Sequence, residues 1–341
     1  MSKPALKRIQ LNQTAPALLA LWLQDTPLLV WGSGVVTAGG REARPHGEAA
    51  ILDAAPCPTG QAVLTLGADC VVRRVTAGLA STPVFAIGAG FADRIVSDAA
   101  SGLVAVATSR TVEVRTAATG EVLAVVTPPR APTAIVLSTG TARRQRQLAV
   151  AHGGGVSLYD LDAAAAAPLL LEAPGGHSGV AISPDGAFVL ASSAEPALIG
   201  WRLADGQGFR MGGYPARPDG LVWMPDGSLA TTGGPAVLVW PFVAPDGPMG
   251  QSALMLRPRM GMLTAVAPRR SKVAAGWSDG GVDVVDTATG RSAHVAGTPP
   301  PRELDFDPRR TPNRVTVLAF SHDGRALAWG REDGRGGVVL L

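Results

Sequence analysis

Five histidines, two cysteines and two acidic groupings are the side chains of this sequence with the types to carry chemistry. The histidines are His46, His152, His177, His294 and His322. None shares a zinc-like H-x-x-x-H spacing with another, and none sits beside a cysteine pair. Glu303-Leu304-Asp305-Phe306-Asp307 alternates carboxylates between prolines and offers oxygen ligands to a hard cation. It lacks the glycine and spacing of a calcium loop, so it reads as a solvated connector. Tyr159-Asp160-Leu161-Asp162 reads as the end of a strand followed by an Asp turn. Cys57 and Cys70 are too few for a disulfide scaffold and read as small buried hydrophobes. No metal and no cofactor is expected.

The common catalytic signatures are missing too. Only Lys3, Lys7 and Lys272 could supply the lysine of a phosphate-cradling loop, and none follows the required glycines. Gly32-Ser33-Gly34 and Gly88-Ala89-Gly90 do not extend to a dinucleotide fingerprint. Gly176-His177-Ser178-Gly179 lacks the spacing of a nucleophile elbow. An enzyme should gather several His, Glu, Asp or Arg at one pocket. No such gathering is visible, so a non-enzymatic protein is expected.

What must position the remaining candidates is a phrase repeated about every 40 residues. An apolar run ends in a small turn, a second strand follows, and a tight Gly/Asp turn leads to a third. It is clearest at Val180-Ala181-Ile182-Ser183-Pro184-Asp185-Gly186. It returns at Leu221-Val222-Trp223-Met224-Pro225-Asp226-Gly227 and at Val317-Leu318-Ala319-Phe320-Ser321-His322-Asp323-Gly324. A period of roughly 40–45 residues with several short strands per unit predicts an all-β, closed β-propeller of four-stranded antiparallel blades. Eight units over 341 residues average about 43 each, a normal period; seven, at about 49, is the alternative. One propeller then spans residues 1–341. The chain ends on the third strand of its last blade, and residues 5–11 are expected to supply the fourth and close the ring. Residues 298–312, with Pro299-Pro300-Pro301, are expected to be a surface insertion.

Laid out in this frame, the chain resembles the WD40-repeat family over nearly its full length. Gly176-His177 stands where the family's Gly-His opens a repeat. Trp201 and Trp240 stand where its Trp closes the third strand, with Asp160 and Asp286 at the neighbouring Asp. The best single match is Val273-Ala274-Ala275-Gly276-Trp277-Ser278-Asp279-Gly280-Gly281-Val282-Asp283-Val284-Val285-Asp286. The resemblance implies an intrablade network of turn His, second-strand Ser/Thr, turn Asp and third-strand Trp. Blade 5 keeps His177, Ser192 and Trp201, while Glu195-Pro196 replaces the turn Asp. No blade holds all four, which suits a divergent bacterial relative. The family mostly works as scaffolds for protein partners.

That implies a partner-binding face. Strands alternate direction, so turns between second and third strands emerge with the connections between blades on one side. His152, Glu195, Tyr214, Arg217, Trp277 and Arg331 are placed there, with Trp277 and Arg217 as anchors, since aromatic and Arg side chains gain most from desolvation. Arg143, Arg144, Arg269 and Arg270 are placed on the opposite face. Hydrophobic residues make up 46% and charged residues 17%, enough apolar content for a large core. A net charge of +3, with Arg scattered along the chain, disfavours nucleic acid. The apolar run at residues 15–23 follows a polar stretch and is too short to span a bilayer, so no membrane partner and a cytoplasmic location are expected. The expected function is a scaffold binding a protein or peptide. The alternative is a small-ligand-binding or enzymatic propeller that uses its central channel.

Overall fold

The computed structural model describes residues 8–88, 91–139, 145–163, 166–242, 245–297 and 313–341. These residues form eight four-stranded antiparallel sheets arranged as blades 1 to 8 of a propeller. The insertion expected at residues 298–312, with Glu303, Asp305 and Asp307, lies outside the described residues, as do Arg143 and Arg144. In each blade strand a lies at the channel and strands b, c and d follow outward. The a strands are Ala17–Leu23, Ile51–Pro56, Ala92–Asp98, Pro132–Thr139, His177–Ile182, Leu221–Trp223, Leu263–Arg269 and Val315–Phe320. We call the face with the b–c turns and the connections between blades the upper face. The a–b and c–d turns make the lower face.

The apolar residues of strand b point alternately to both neighbours, so these strands are the most buried. Ala62–Gly67, Leu103–Thr108 and Phe188–Ser193 are buried along their whole length. That explains near-continuous runs such as Leu103-Val104-Ala105-Val106-Ala107 where a half-exposed strand would alternate. Each of the eight apolar clusters spans one junction between neighbouring blades. Leu148 and Val150 of blade 4, for example, pack with Leu103 and Val114 of blade 3. Seven of the eight a strands carry a bulge near the upper end. At the bulges of blades 7 and 8 the extra residue reaches the next blade: Thr264 Oγ1 donates to the Val315 carbonyl at 2.7 Å, and Thr316 Oγ1 to that of Ala17 at 2.7 Å.

The ring closes through the chain's two ends. Ile9–Asn12 pairs antiparallel with Arg335–Leu340 and forms strand d of blade 8, with Ile9 opposite Val338 and Asn12 opposite Arg335. The expected closing segment began at residue 5; residues 5–7 lie outside the described residues. Two glycines make the approach possible. Gly334 has φ 84°, and a Cβ there would meet the Gln13 carbonyl oxygen; a Cβ on Gly337 would meet that of Ile9. Trp22 Nε1 adds a 2.9 Å bond to the Ala319 carbonyl across the same junction. Removing residues 1–12 should therefore bare the edge of Arg335–Leu340 and lower the melting temperature by at least roughly 4 °C, with association visible in light scattering. An unchanged melting point in a monomeric truncation is the contrary result.

Candidate functional site

Beneath the upper face every blade holds a polar device at the same height. In blade 2, His46 from the connection lies 2.9 Å from both Asp69 Oδ1 in the b–c turn and Thr65 Oγ1 on strand b. This is a His–Thr–Asp arrangement of the kind the WD40 resemblance implies. The sequence reading missed it, although His46 precedes Thr65-Leu66-Gly67-Ala68-Asp69 at a suitable distance. Blade 6 uses a tyrosine: Tyr214 Oη pairs with Thr231 Oγ1 at 2.9 Å and accepts from Trp240 Nε1 at 2.6 Å. Burial raises the Tyr214 hydroxyl above the usual tyrosine pKa. Blade 5 departs from the implied network. His177 sits 3.0 Å from the carbonyls of Ser192 and Ala173, and the Ser192 hydroxyl bonds instead to the Pro218 carbonyl.

Blade 7 holds the most charged device. Asp283 is completely buried and faces Arg259 Nη1 at 3.1 Å, Arg257 Nε at 3.4 Å and His294 Nδ1 at 3.0 Å. Arg259 also pairs with Asp279 in the b–c turn and lies 4.9 Å over the Trp277 ring. Taking one partner from such a buried set strands the opposite charge. Arg259→Ala should therefore cost about 3 kcal/mol or more of unfolding free energy. A loss below about 1 kcal/mol in urea titrations would remove Arg259 from this role.

Most of the six candidates turn out to be parts of these devices. Trp277, His152 and Arg331 are the last residues of strands Lys272–Trp277, Arg146–His152 and Ala326–Arg331, not members of exposed turns. A strand-b position is sandwiched between blades, so Trp277 is 0% exposed, Arg331 4% and His152 5%. Trp277 is thus no surface anchor. His152 Nε2 meets Ser157 Oγ at 2.9 Å, and burial lowers its pKa, with His177 and Arg130 adding to the effect. Arg331 is tied to Asp333 at 2.5 Å, and Tyr214 is folded inward. Only Glu195 and Arg217 reach solvent. Glu195 is 3.1 Å from Arg210, and Arg217 Nε is 2.9 Å from Asp219.

The exposed pair at Arg217 belongs to an opening the sequence did not reveal. A cavity of about 570 Å³ lies at the upper ends of the a strands of blades 6 to 8, lined by Arg217, Asp219, Thr264, Arg314 and Thr316. Arg314 pairs with Glu332 at 3.0 Å. Deeper in, the channel wall presents Leu19, Val222, Val266 and Leu318. Among the described residues no group of three or more His, Cys, Asp or Glu could hold a metal ion.

One inner carboxyl is strongly perturbed. Burial pushes Asp53 of blade 2 up to about 6, opposed by bonds from the Ile95 and Ala54 backbone N–H groups and by Arg94. Both oxygens are occupied, Oδ1 by Ala54 and Oδ2 by Ile95 of blade 3, each at 2.9 Å. It staples two blades and is not free to work as a base. The unfolded chain ionises Asp53 near 3.8, so its stability contribution is complete below that pH and is lost as pH rises through about 6. The difference corresponds to about 3 kcal/mol. Unfolding free energies of the wild type minus those of Asp53→Asn should fall between pH 4 and pH 7. A pH-independent difference would contradict this.

No family model matches the chain, and no curated protein sequence matches it. Its likeness is to solved structures. The crystal structure of the computationally designed Ika8 protein is 17% identical with a TM-score of 0.71, covering 97% of this chain and 98% of that one. The structure of the Dos1 propeller is 14% identical with a TM-score of 0.68, covering 97% and 94%. At such identities the shared property is the fold, an eight-bladed all-β propeller.

Proposed function

We propose that the protein is a non-enzymatic interaction scaffold that takes a protein or peptide partner on its upper face, around the cavity between blades 5 and 8. The observation that carries this reading is exposed, weakly committed charge on rigid supports. Glu195–Arg210, Arg217–Asp219 and Arg314–Glu332 are solvent-exposed ion pairs. Such pairs contribute little to stability, so exchanging an internal partner for an external one costs the fold almost nothing. The devices beneath hold their turns in place, which lowers the entropy cost of capture. The WD40 resemblance points the same way, because that family mostly binds proteins. A cytoplasmic setting belongs to the same proposal and is supported by the two free cysteines, Cys57 and Cys70.

Asp53 is the observation that favours the other reading, a ligand-binding or catalytic channel, since perturbed carboxyls gather at active sites. Its two backbone bonds and the apolar channel wall weigh for the scaffold.

The test begins with affinity capture from the native cell extract and identification of the bound protein. Arg217→Ala combined with Arg314→Ala should then weaken that partner at least tenfold, about 1.4 kcal/mol, with the fold unchanged by circular dichroism. A partner that binds the double variant as tightly as the wild type would move the site off this face.

A further inference from the structure

The a–b turn of blade 7 contains an arginine where the backbone suits glycine. Leu263–Arg269 and Lys272–Trp277 are joined by only Arg270 and Ser271, with Arg269 opposite Lys272. Arg270 has φ 51°. Two-residue hairpins place glycine at such a position because a Cβ crowds the backbone there. Strained positions of this kind gather at ligand-binding sites. The side chain held by the strain is exposed, and among the described residues its guanidinium has no hydrogen-bond or ion-pair partner. Its neighbour Arg269 differs, since its guanidinium donates to the His322 carbonyl.

Arg270 stands at the rim of a groove of about 730 Å³ between blades 6 and 7 on the lower face. Pro225, Val239, Pro241 and Leu254 give it an apolar lining, and Thr287 adds a hydroxyl. Among the described residues that line the groove the one carboxylate is Asp226, whose Oδ1 accepts from the Ser228 N–H at 2.9 Å and Oγ at 2.6 Å. Leu254 also begins the outermost strand of blade 6, Leu254–Leu256, whose far backbone edge has no strand partner among the described residues. Leu254 and Met255 are 49% and 59% exposed.

We propose that this groove is a second docking site, for an extended acidic peptide. An apolar side chain of the peptide seats against Pro225, Val239 and Leu254, and a carboxylate that follows it pairs with Arg270. The open edge of Leu254–Leu256 offers backbone bonds to an extended chain, the mode by which sheet edges take up peptides. The planar guanidinium suits a two-pronged contact with a carboxylate. This site is independent of the upper-face cavity.

The test uses the full chain and two fluorescein-labelled octapeptide pools, one with a central leucine followed by two glutamates, the other with two lysines instead. The acidic pool should raise the anisotropy and the lysine pool should not. Arg270→Gly should weaken the acidic pool at least tenfold while its melting temperature stays level or rises, because the strain is relieved. Arg270→Asn, which tolerates the same φ, should do likewise. Leu254→Ser should weaken binding as well, and the Arg217→Ala, Arg314→Ala protein should bind like the wild type. Equal binding of the two pools, no binding of either, or an unaffected Arg270→Gly protein would overturn the proposal.

Discussion

Every blade must have both faces covered by its neighbours, and the rest of the structure depends on that constraint. The eight apolar clusters all lie across junctions, with blades 1 and 2 sharing one around Leu28 and Val63, and blades 8 and 1 another around Trp31 and Ala328. A blade taken alone would leave two apolar faces in water, so stability belongs to the junctions. A ring is the arrangement in which no blade is left half covered. That is why the terminal strand Ile9–Asn12, the bond from Trp22 and the bond from Thr316 converge on the one junction that chain connectivity cannot hold.

Packing of this kind imposes a second demand on the upper face, where b strands enter their turns. Polar groups there are removed from water and must be satisfied. The chain solves this problem with chemistry that varies among the blades: His46 with Asp69, Thr108 with Thr111, Tyr214 with Trp240, Arg259 with Asp283. What is shared is position, not residue type. The consequence for function is indirect but physical. Side chains that look interactive in sequence are consumed in holding the turns, and the charges left over, such as Arg217 and Arg314, are displayed on a stiff frame.

The two faces consequently offer different surfaces. Around the upper cavity, charges are paired with one another and exposed. On the lower face, short a–b turns leave open grooves between blades. The groove between blades 6 and 7 combines an apolar lining with the cation of Arg270, which has no ion-pair partner among the described residues.

The architecture was legible in the sequence because a propeller repeats a local pattern. Strand-b runs, Pro-Asp-Gly turns and a unit length of about 43 residues are set by short-range chemistry, so eight blades and the closing role of the N-terminal strand could be read without coordinates. The side on which the b–c turns emerge was legible for the same reason, since strand direction alternates. Exposure was not. Whether Trp277 ends a strand or opens a turn is a difference of one residue, and that residue decides between a surface anchor and a side chain sealed under Arg259. The same holds for Tyr214, whose hydroxyl is drawn inward by Thr231 and Trp240, residues 17 and 26 positions away. The upper cavity joins residues from blades 5 to 8, and the lower groove joins two blades. Such neighbours meet only when the ring has closed, which is why periodicity specified the frame and tertiary packing alone decided what the frame displays.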